Sequence, residues 1–195
     1  MIRRATLAVT LLLLVTAVPV AAATKAVQVV NFAFQSKSVK VALGDGVRWH
    51  NGTTTDHTST ANNFGLWTFF MPAGTNTTSN AFVFQRAGKF GYRCVIHPTQ
   101  MKGTVSVKMR ASPTSGARNN TFAIRAALSN APSGFVHDIQ MRKGSAAFAA
   151  WRSTSLPTAS FVPPSTGTFQ FRARLRKSSD GSATGYSPIL QITVN

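Results

Sequence analysis

The sequence predicts an all-β protein made of two β-sandwiches in tandem. Three observations carry that prediction. Past the N-terminal stretch, no window of about 11 residues keeps a 3.6-residue apolar period. Short runs of Val, Ile, Phe and Thr recur instead, broken by Gly, Pro, Asn and Ser, the pattern of half-buried strands joined by turns. A stretch at 111–120, holding Pro113, Ser115, Gly116 and two asparagines, divides the strands into two sets and is expected as a linker.

In order along the chain, residues 1–23 read as a secretory signal: Arg3 and Arg4, an apolar core from Leu7 to Val20, then Ala21-Ala22-Ala23. The core is short for a membrane span. The mature chain is therefore expected near Thr24, exported to a secreted or periplasmic location, with no transmembrane segment. The first sandwich is expected over 24–110. Its strands are Ala26 to Phe34, Ser38 to Ala42, Gly46 to Asn51, Ala81 to Gln85, Gly88 to Cys94 and Gly103 to Met109. Val39 and Val41, and then Val47 and Trp49, alternate with polar residues, so each strand has one buried face. From Gly52 to Thr78 the chain reads as a long Thr-, Asn- and Gly-rich loop whose aromatics, Phe64, Trp67, Phe69 and Phe70, pack over a site. The second sandwich is expected over 121–195. Its strands are Thr121 to Leu128, Gly134 to Arg142, Ala146 to Arg152, Ala159 to Val162, Thr168 to Lys177 and Pro188 to Val194. In the fifth of these, Phe169, Phe171, Ala173 and Leu175 alternate with Gln170, Arg172, Arg174 and Arg176, a half-buried strand with a basic outer face.

Composition narrows the chemistry. Of 195 residues only four are acidic, all Asp, against 21 Lys and Arg, for a net charge of +17. Four scattered carboxylates exclude an EF-hand, and the absence of Glu excludes an HExxH metalloprotease. A single cysteine excludes a disulfide framework and all-cysteine metal sites. The positive charge is spread over both halves without a block of consecutive Lys or Arg. Export argues against nucleic acid, and the expected partners are acidic proteins or anionic cell-surface polymers.

The chemistry that remains is concentrated in Cys94-Val95-Ile96-His97-Pro98-Thr99-Gln100-Met101. A thiol, an imidazole and a thioether lie within one short loop at a strand end. Upstream, Asp56-His57-Thr58 offers a second imidazole, with His50 as the alternative. His50 lies in an alternating strand beside Trp49 and is expected on the opposite face from it. Two imidazoles, one thiolate and one thioether match a His₂Cys copper site with a weak axial Met. Zinc accepts Cys and His, but Met suits it poorly. The alternative for Cys94 is a buried inert thiol.

These residues resemble the cupredoxins, the plastocyanin- and amicyanin-like blue copper proteins. The resemblance covers Ala26 to Val107. It rests on Val47-x-Trp49-x-Asn51 ahead of a His-Thr pair, then Gly88-x-Phe90-x-Tyr92-x-Cys94-x-x-His97-Pro98-x-x-Met101-x-Gly103. It implies a Greek-key sandwich with His57, Cys94 and His97 as strong ligands of one copper ion and Met101 as the axial one. Three residues separate His97 from Met101, where plastocyanins have four and amicyanins two. The resemblance also implies outer-sphere electron transfer between Cu(II) and Cu(I), leaving through an exposed His97 edge toward a redox partner protein. Around the ligands, Asn51, Thr58, Ile96 and Pro98 are the supporting positions. Because residue 96 is Ile and not Pro, its N–H and that of Thr58 are both expected to bond the cysteine sulfur.

Residues 117 to 195 resemble a fibronectin type III or related immunoglobulin-like module. The carrying residues are Phe135-x-x-x-Ile139-x-Met141-Arg142, Trp151, Thr168 to Arg174 and Tyr186-Ser187-Pro188. The leading expectation is a non-enzymatic, exported copper electron carrier with an attached binding or spacer module. Copper delivery, or a surface interaction protein with an incidental copper site, are the alternatives. A multicopper oxidase is excluded because His50 and His137 cannot supply its extra histidine pairs.

Overall fold

The computed structural model describes residues 22–74 and 76–195. The expected export signal falls on residues 1–21, outside the described residues, apart from its last two positions. Among the described residues every regular element is a strand. The first ten are β1 (Thr24–Val30), β2 (Ala33–Gln35), β3 (Ser38–Val41), β4 (Gly46–Asn51), β5 (His57–Ala61), β6 (Thr68–Met71), β7 (Thr77–Thr78), β8 (Phe82–Val83), β9 (Gly88–Arg93) and β10 (Lys102–Val107). They form two sheets, β2-β1-β4-β7 with β8 also on β4, and β3-β10-β9-β5-β6. The chain changes sheet between β2 and β3, β3 and β4, and β4 and β5. For that reason β1 and β4, and β3 and β10, run parallel. This is the first β-sandwich.

Period-two patterning explains which side chains fill it. Val27 and Val29 of β1, Val47 and Trp49 of β4, Phe90 and Tyr92 of β9, and Val105 and Val107 of β10 all point inward and are buried. Trp49 stacks on Trp67 at 5.6 Å and meets the edge of Tyr92 at 5.3 Å. Each such aromatic removes enough apolar surface from water to contribute roughly 2–3 kcal/mol. Burial pushes the Tyr92 phenol up to about 12. Its ring lies across Gly103, where a Cβ would overlap the phenol, so a glycine is required at that point of β10.

The structure departs from the expected strands at two places. The strand expected from Ala26 to Phe34 is broken into β1 and β2, because Phe32 adopts a left-handed φ of 55° and turns the chain back so that β2 pairs with β1 antiparallel. The expected loop from Gly52 to Thr78 contains the hairpin β5–β6, which pairs with β9. Its apex places both Phe64 and Gly65 at positive φ, 60° and 59°. The hairpin lacks an apolar alternation because β5 is His-Thr-Ser-Thr-Ala, and His57, Thr58 and Ser59 are all buried polar groups. The aromatics beyond it divide. Trp67 enters the core, Phe64 meets Phe135 of the second half edge-on at 4.9 Å, and Phe70 stays exposed.

The second half contains β11 (Arg110–Ser112), β12 (Ser115–Gly116), β13 (Phe122–Arg125), β14 (Phe135–Lys143), β15 (Ala149–Thr154), β16 (Thr158–Phe161), β17 (Gly167–Lys177) and β18 (Leu190–Val194). Its sheets are β11-β13-β16 and β12-β18-β17-β14-β15, a second sandwich. Phe122, Ile124, Ile139, Phe161, Phe169, Phe171 and Ile192 fill its interior. Trp151 packs edge-on against Phe161 and Phe171. The 111–120 stretch is more structured than a free tether. Arg110–Ser112 pairs with β13, and Ser115–Gly116 pairs with β18 in the other sheet, so this segment crosses between the two sheets of the sandwich.

The halves share backbone hydrogen bonds. Ala87 N–H donates to Ala126 O at 2.8 Å and Leu128 N–H to Gln85 O at 2.9 Å, while Lys89 and Gly185 exchange a pair at 2.8 and 3.0 Å. The buried apolar residues of both sandwiches form one continuous cluster.

Candidate metal centre

One end of the first sandwich collects the soft donors. His57 opens β5, at the edge of which Asn51 does the positioning. The Asn51 amide donates to Thr55 O at 2.9 Å, Met71 O at 3.0 Å and Pro72 O at 3.2 Å, and its carbonyl accepts from Thr53 N–H at 3.0 Å and Thr53 Oγ1 at 2.8 Å. Asn51 is fully buried, so these bonds form in a low-dielectric setting and hold the 51–57 turn against the end of β6. Asp56 caps the 72–74 turn by accepting from Ala73 N–H at 2.7 Å. Its role is in the turn.

Cys94 follows β9, and the chain from Cys94 to Met101 forms a closed loop. Cys94 N–H donates to Met101 O, and Met101 N–H to His97 O, each at 3.0 Å. These two bonds bring His97 back beside Cys94 and seat Met101, fully buried, at the base of the loop. The loop is clamped to β5 by Thr58. Its hydroxyl accepts from Val95 N–H at 2.9 Å, and its own N–H donates to Cys94 Sγ at 3.3 Å.

The result is a cluster of three donor atoms within 4.8 Å of one another, from His57, Cys94 and His97. Sγ lies 4.0 Å from His57 Nδ1 and 3.6 Å from His97 Nδ1. A first-row metal held trigonally with bonds of about 2.0–2.3 Å would separate N and S donors by roughly 3.8 Å. The two observed separations bracket that value. Burial, the neighbouring His97 and, in opposition, Asp56 set the His57 imidazole, with the net direction below its ordinary value. A depressed pKa keeps the ring neutral and its lone pair available. Nδ1 is the nitrogen that faces Cys94 Sγ, and the buried Nε2 has no hydrogen-bond partner among the described residues. The residues present therefore fit a soft or borderline metal ion.

His50 is not part of the cluster; its Nδ1 pairs with Thr78 Oγ1 at 2.7 Å on the outer side. Of the two expected N–H···S bonds, the Thr58 bond is present. Ile96 is exposed and no bond from its N–H to the sulfur is found among the described residues. Pro98 is exposed on the outer side of the loop. Phe32 was not singled out from the sequence, yet its ring meets the His97 imidazole edge-on at 5.0 Å. A lone Phe at a turn carries no signal until the fold brings it across the sheet. Met71 is likewise buried directly opposite His57 in the β5–β6 ladder.

The fold brings two imidazoles and one thiol together at one end of a β-sandwich, a group that could hold a metal ion. No family model matches the chain, and no curated protein matches it. Similar solved structures are amicyanins. One reduced amicyanin mutant is 25% identical, covering 44% of this chain and 82% of that chain with a TM-score of 0.38. The Cu(I) form of a second mutant is 26% identical, covering 46% and 86%, and the oxidised state of a third gives the same figures; both have a TM-score of 0.38. At that score these are likenesses only, and the donor geometry is what bears on the chemistry.

Proposed function

We propose that the protein is an exported copper-binding electron carrier with an attached β-sandwich module, and not an enzyme. The observation that carries this reading is the convergence of His57, Cys94 and His97, two buried and one half-buried, with Cys94 Sγ facing both Nδ1 atoms. His57, Cys94 and His97 would hold the metal, with the buried Met101 thioether as a further donor. Bound copper would supply one-electron chemistry between Cu(II) and Cu(I).

The chain's own residues do the rest. The Thr58 N–H donates to the Cys94 sulfur and holds it in place against β5. The Asn51 bonds and the two backbone bonds closing the loop fix the donors before any metal arrives, so little rearranges when charge changes. His97 is half-exposed while His57 is fully buried, which makes the His97 edge the exit to solvent. Phe32, Val95 and Ile96 are 48%, 48% and 46% exposed around it. An apolar rim of this kind suits brief docking of a redox partner, since it desolvates easily and lets the imidazole edge approach closely.

No helix among the described residues is long and apolar enough to cross a membrane, and Arg3, Arg4 and the apolar run after them support export. For the second module, the strand order β11-β13-β16 over β18-β17-β14-β15 supports a fibronectin type III-like arrangement.

The test is the absorption spectrum of the copper-loaded protein. An intense visible thiolate-to-copper band that disappears in Cys94→Ser supports the reading, and a colourless wild-type complex overturns it. Self-exchange and chelator competition then separate electron transfer from copper delivery: fast exchange with retained copper is expected, whereas slow exchange with ready loss of the metal would indicate delivery.

A further inference from the structure

We infer that the outer face of the β14–β17 ladder is a docking surface for an extended anionic polysaccharide. Strand β17 alternates strictly, burying Phe169, Phe171, Ala173 and Leu175 while Arg172, Arg174 and Arg176 face outward. Residues two apart on a strand lie about 6.8 Å apart, so the three guanidiniums form an evenly pitched row. Arg142 joins it from β14, where it sits opposite Gln170.

The row is held rigidly before any ligand binds. The Phe148 ring has the Arg142 and Arg172 guanidiniums at 4.5 and 4.2 Å, and the Tyr186 ring has Arg172 and Arg174 at 4.4 and 4.6 Å. Contacts thus run from Arg142 through Phe148, Arg172 and Tyr186 to Arg174. Gln140 accepts two bonds from Arg172, Gln170 accepts one from Arg142, and Ser153 accepts one from Arg176. Asp138, the only acid on these two strands, pairs with Arg174 at 2.9 Å and Arg176 at 3.5 Å. One carboxylate faces four guanidiniums. Each guanidinium has five N–H donors, and one or two on each are used among the described residues. The Arg174 and Arg176 side chains remain 30% and 28% exposed.

This arrangement suits sulfate, phosphate or carboxylate groups that repeat along a polymer. Planar guanidiniums bind such groups through paired N–H bonds, and side chains already fixed lose little entropy on binding. A single-stranded nucleic acid fits less well. It requires open aromatic faces for base stacking, and the two rings on this face are already engaged by arginines. The inference is independent of the copper site.

The test measures binding of the full chain to heparin, a sulfated polysaccharide, across about 50–200 mM salt. Replacing Arg172, Arg174 and Arg176 together by Gln should weaken binding at least tenfold and lower the log–log salt slope by about two to three. Replacing the exposed Lys37, Lys40 and Lys108 of the first half by Gln removes the same charge and should change affinity less than about twofold. Equal losses in the two triple variants would mean a net-charge effect and overturn the proposal. Arg176→Gln alone keeps every ring contact, so it guards against misfolding; a two- to threefold loss is expected, and none would overturn the proposal. Tighter binding of an oligo-dT strand than of heparin at matched salt would overturn the choice of polymer.

Discussion

The two sandwiches make opposite use of their polar residues. The first buries them. Asn51, His57, Thr58 and Ser59 lie within or beside its core at one end, each tied to a backbone group, a side-chain partner or a prospective ligand. The second buries His137, Thr184 and Ser187 singly and spreads its arginines across an open sheet face as the arginine–aromatic row. Buried polar groups need fixed partners, since an unmet one costs about 1–3 kcal/mol. That demand makes the first arrangement a geometric template for one small ion. Exposed charges keep their water and are screened, so the second arrangement suits a large, repetitive, loosely specified partner. The same strand periodicity serves both ends.

Core truncation is the most drastic way to test whether the halves are as separate as their chemistry. Trp49→Ala in one and Phe171→Ala in the other should each cost about 3–5 kcal/mol. Because the buried cluster is continuous across the junction, calorimetry should show a single transition lowered in both variants. Two transitions, only one of which moves, would show that the sandwiches unfold independently.

Acid should act on both halves through buried imidazoles, His57 in the first and, with the larger shift, His137 in the second. His137 is buried, and burial first, then the nearby Arg86, lower its pKa to about 4, against a smaller opposing hydrogen bond to the Ser129 backbone. The unfolded chain therefore binds a proton near pH 6.5 that the folded chain refuses until about 4. The corresponding stability is complete above pH 6.5 and is lost as pH falls toward 4, at most about 3 kcal/mol. Urea unfolding of metal-free protein over that range should show the fall, and His137→Gln should flatten part of it. An unchanged pH profile in the variant would locate the acid sensitivity elsewhere.

Gly103→Ala probes the first half at a smaller scale. The new methyl meets the Tyr92 phenol, and overpacking of this kind costs about 1–3 kcal/mol. A lowered melting temperature, with a shifted near-ultraviolet signal from displaced Tyr92, is the expected outcome. The smallest effect belongs to the open face. Asp138→Asn removes two partly exposed ion pairs and should change stability by under about 1 kcal/mol. A much larger loss would show that the arginine row supports the fold itself.

Most of the strand pattern was legible because a half-buried strand needs a period of two, and Val39/Val41, Phe90/Tyr92 and Phe169 to Leu175 supply it. The hairpin His57–Ala61/Thr68–Met71 was not. Its inward side chains are polar, and their burial becomes favourable only once Cys94, Trp67 and the loop are present to receive them. The 111–120 segment read as a linker for a similar reason, since short strands of Ser, Gly and Ala gain their stability from the neighbours they pair with.

By itself, the sequence determined the donor types and their nearness along the chain: one thiol, an imidazole three residues on, a thioether after that, and almost no carboxylate to compete. It also determined the alternation that turns Arg172, Arg174 and Arg176 to one side. The sequence also favoured His57 over His50, but only the tertiary structure decided that Thr58 donates to the sulfur where Ile96 does not, and that Phe32 lies against His97. Those outcomes depend on which strands become neighbours across two sheets. Such contacts join residues as much as 65 positions apart, as Phe32 and His97 are, and no local spacing encodes them.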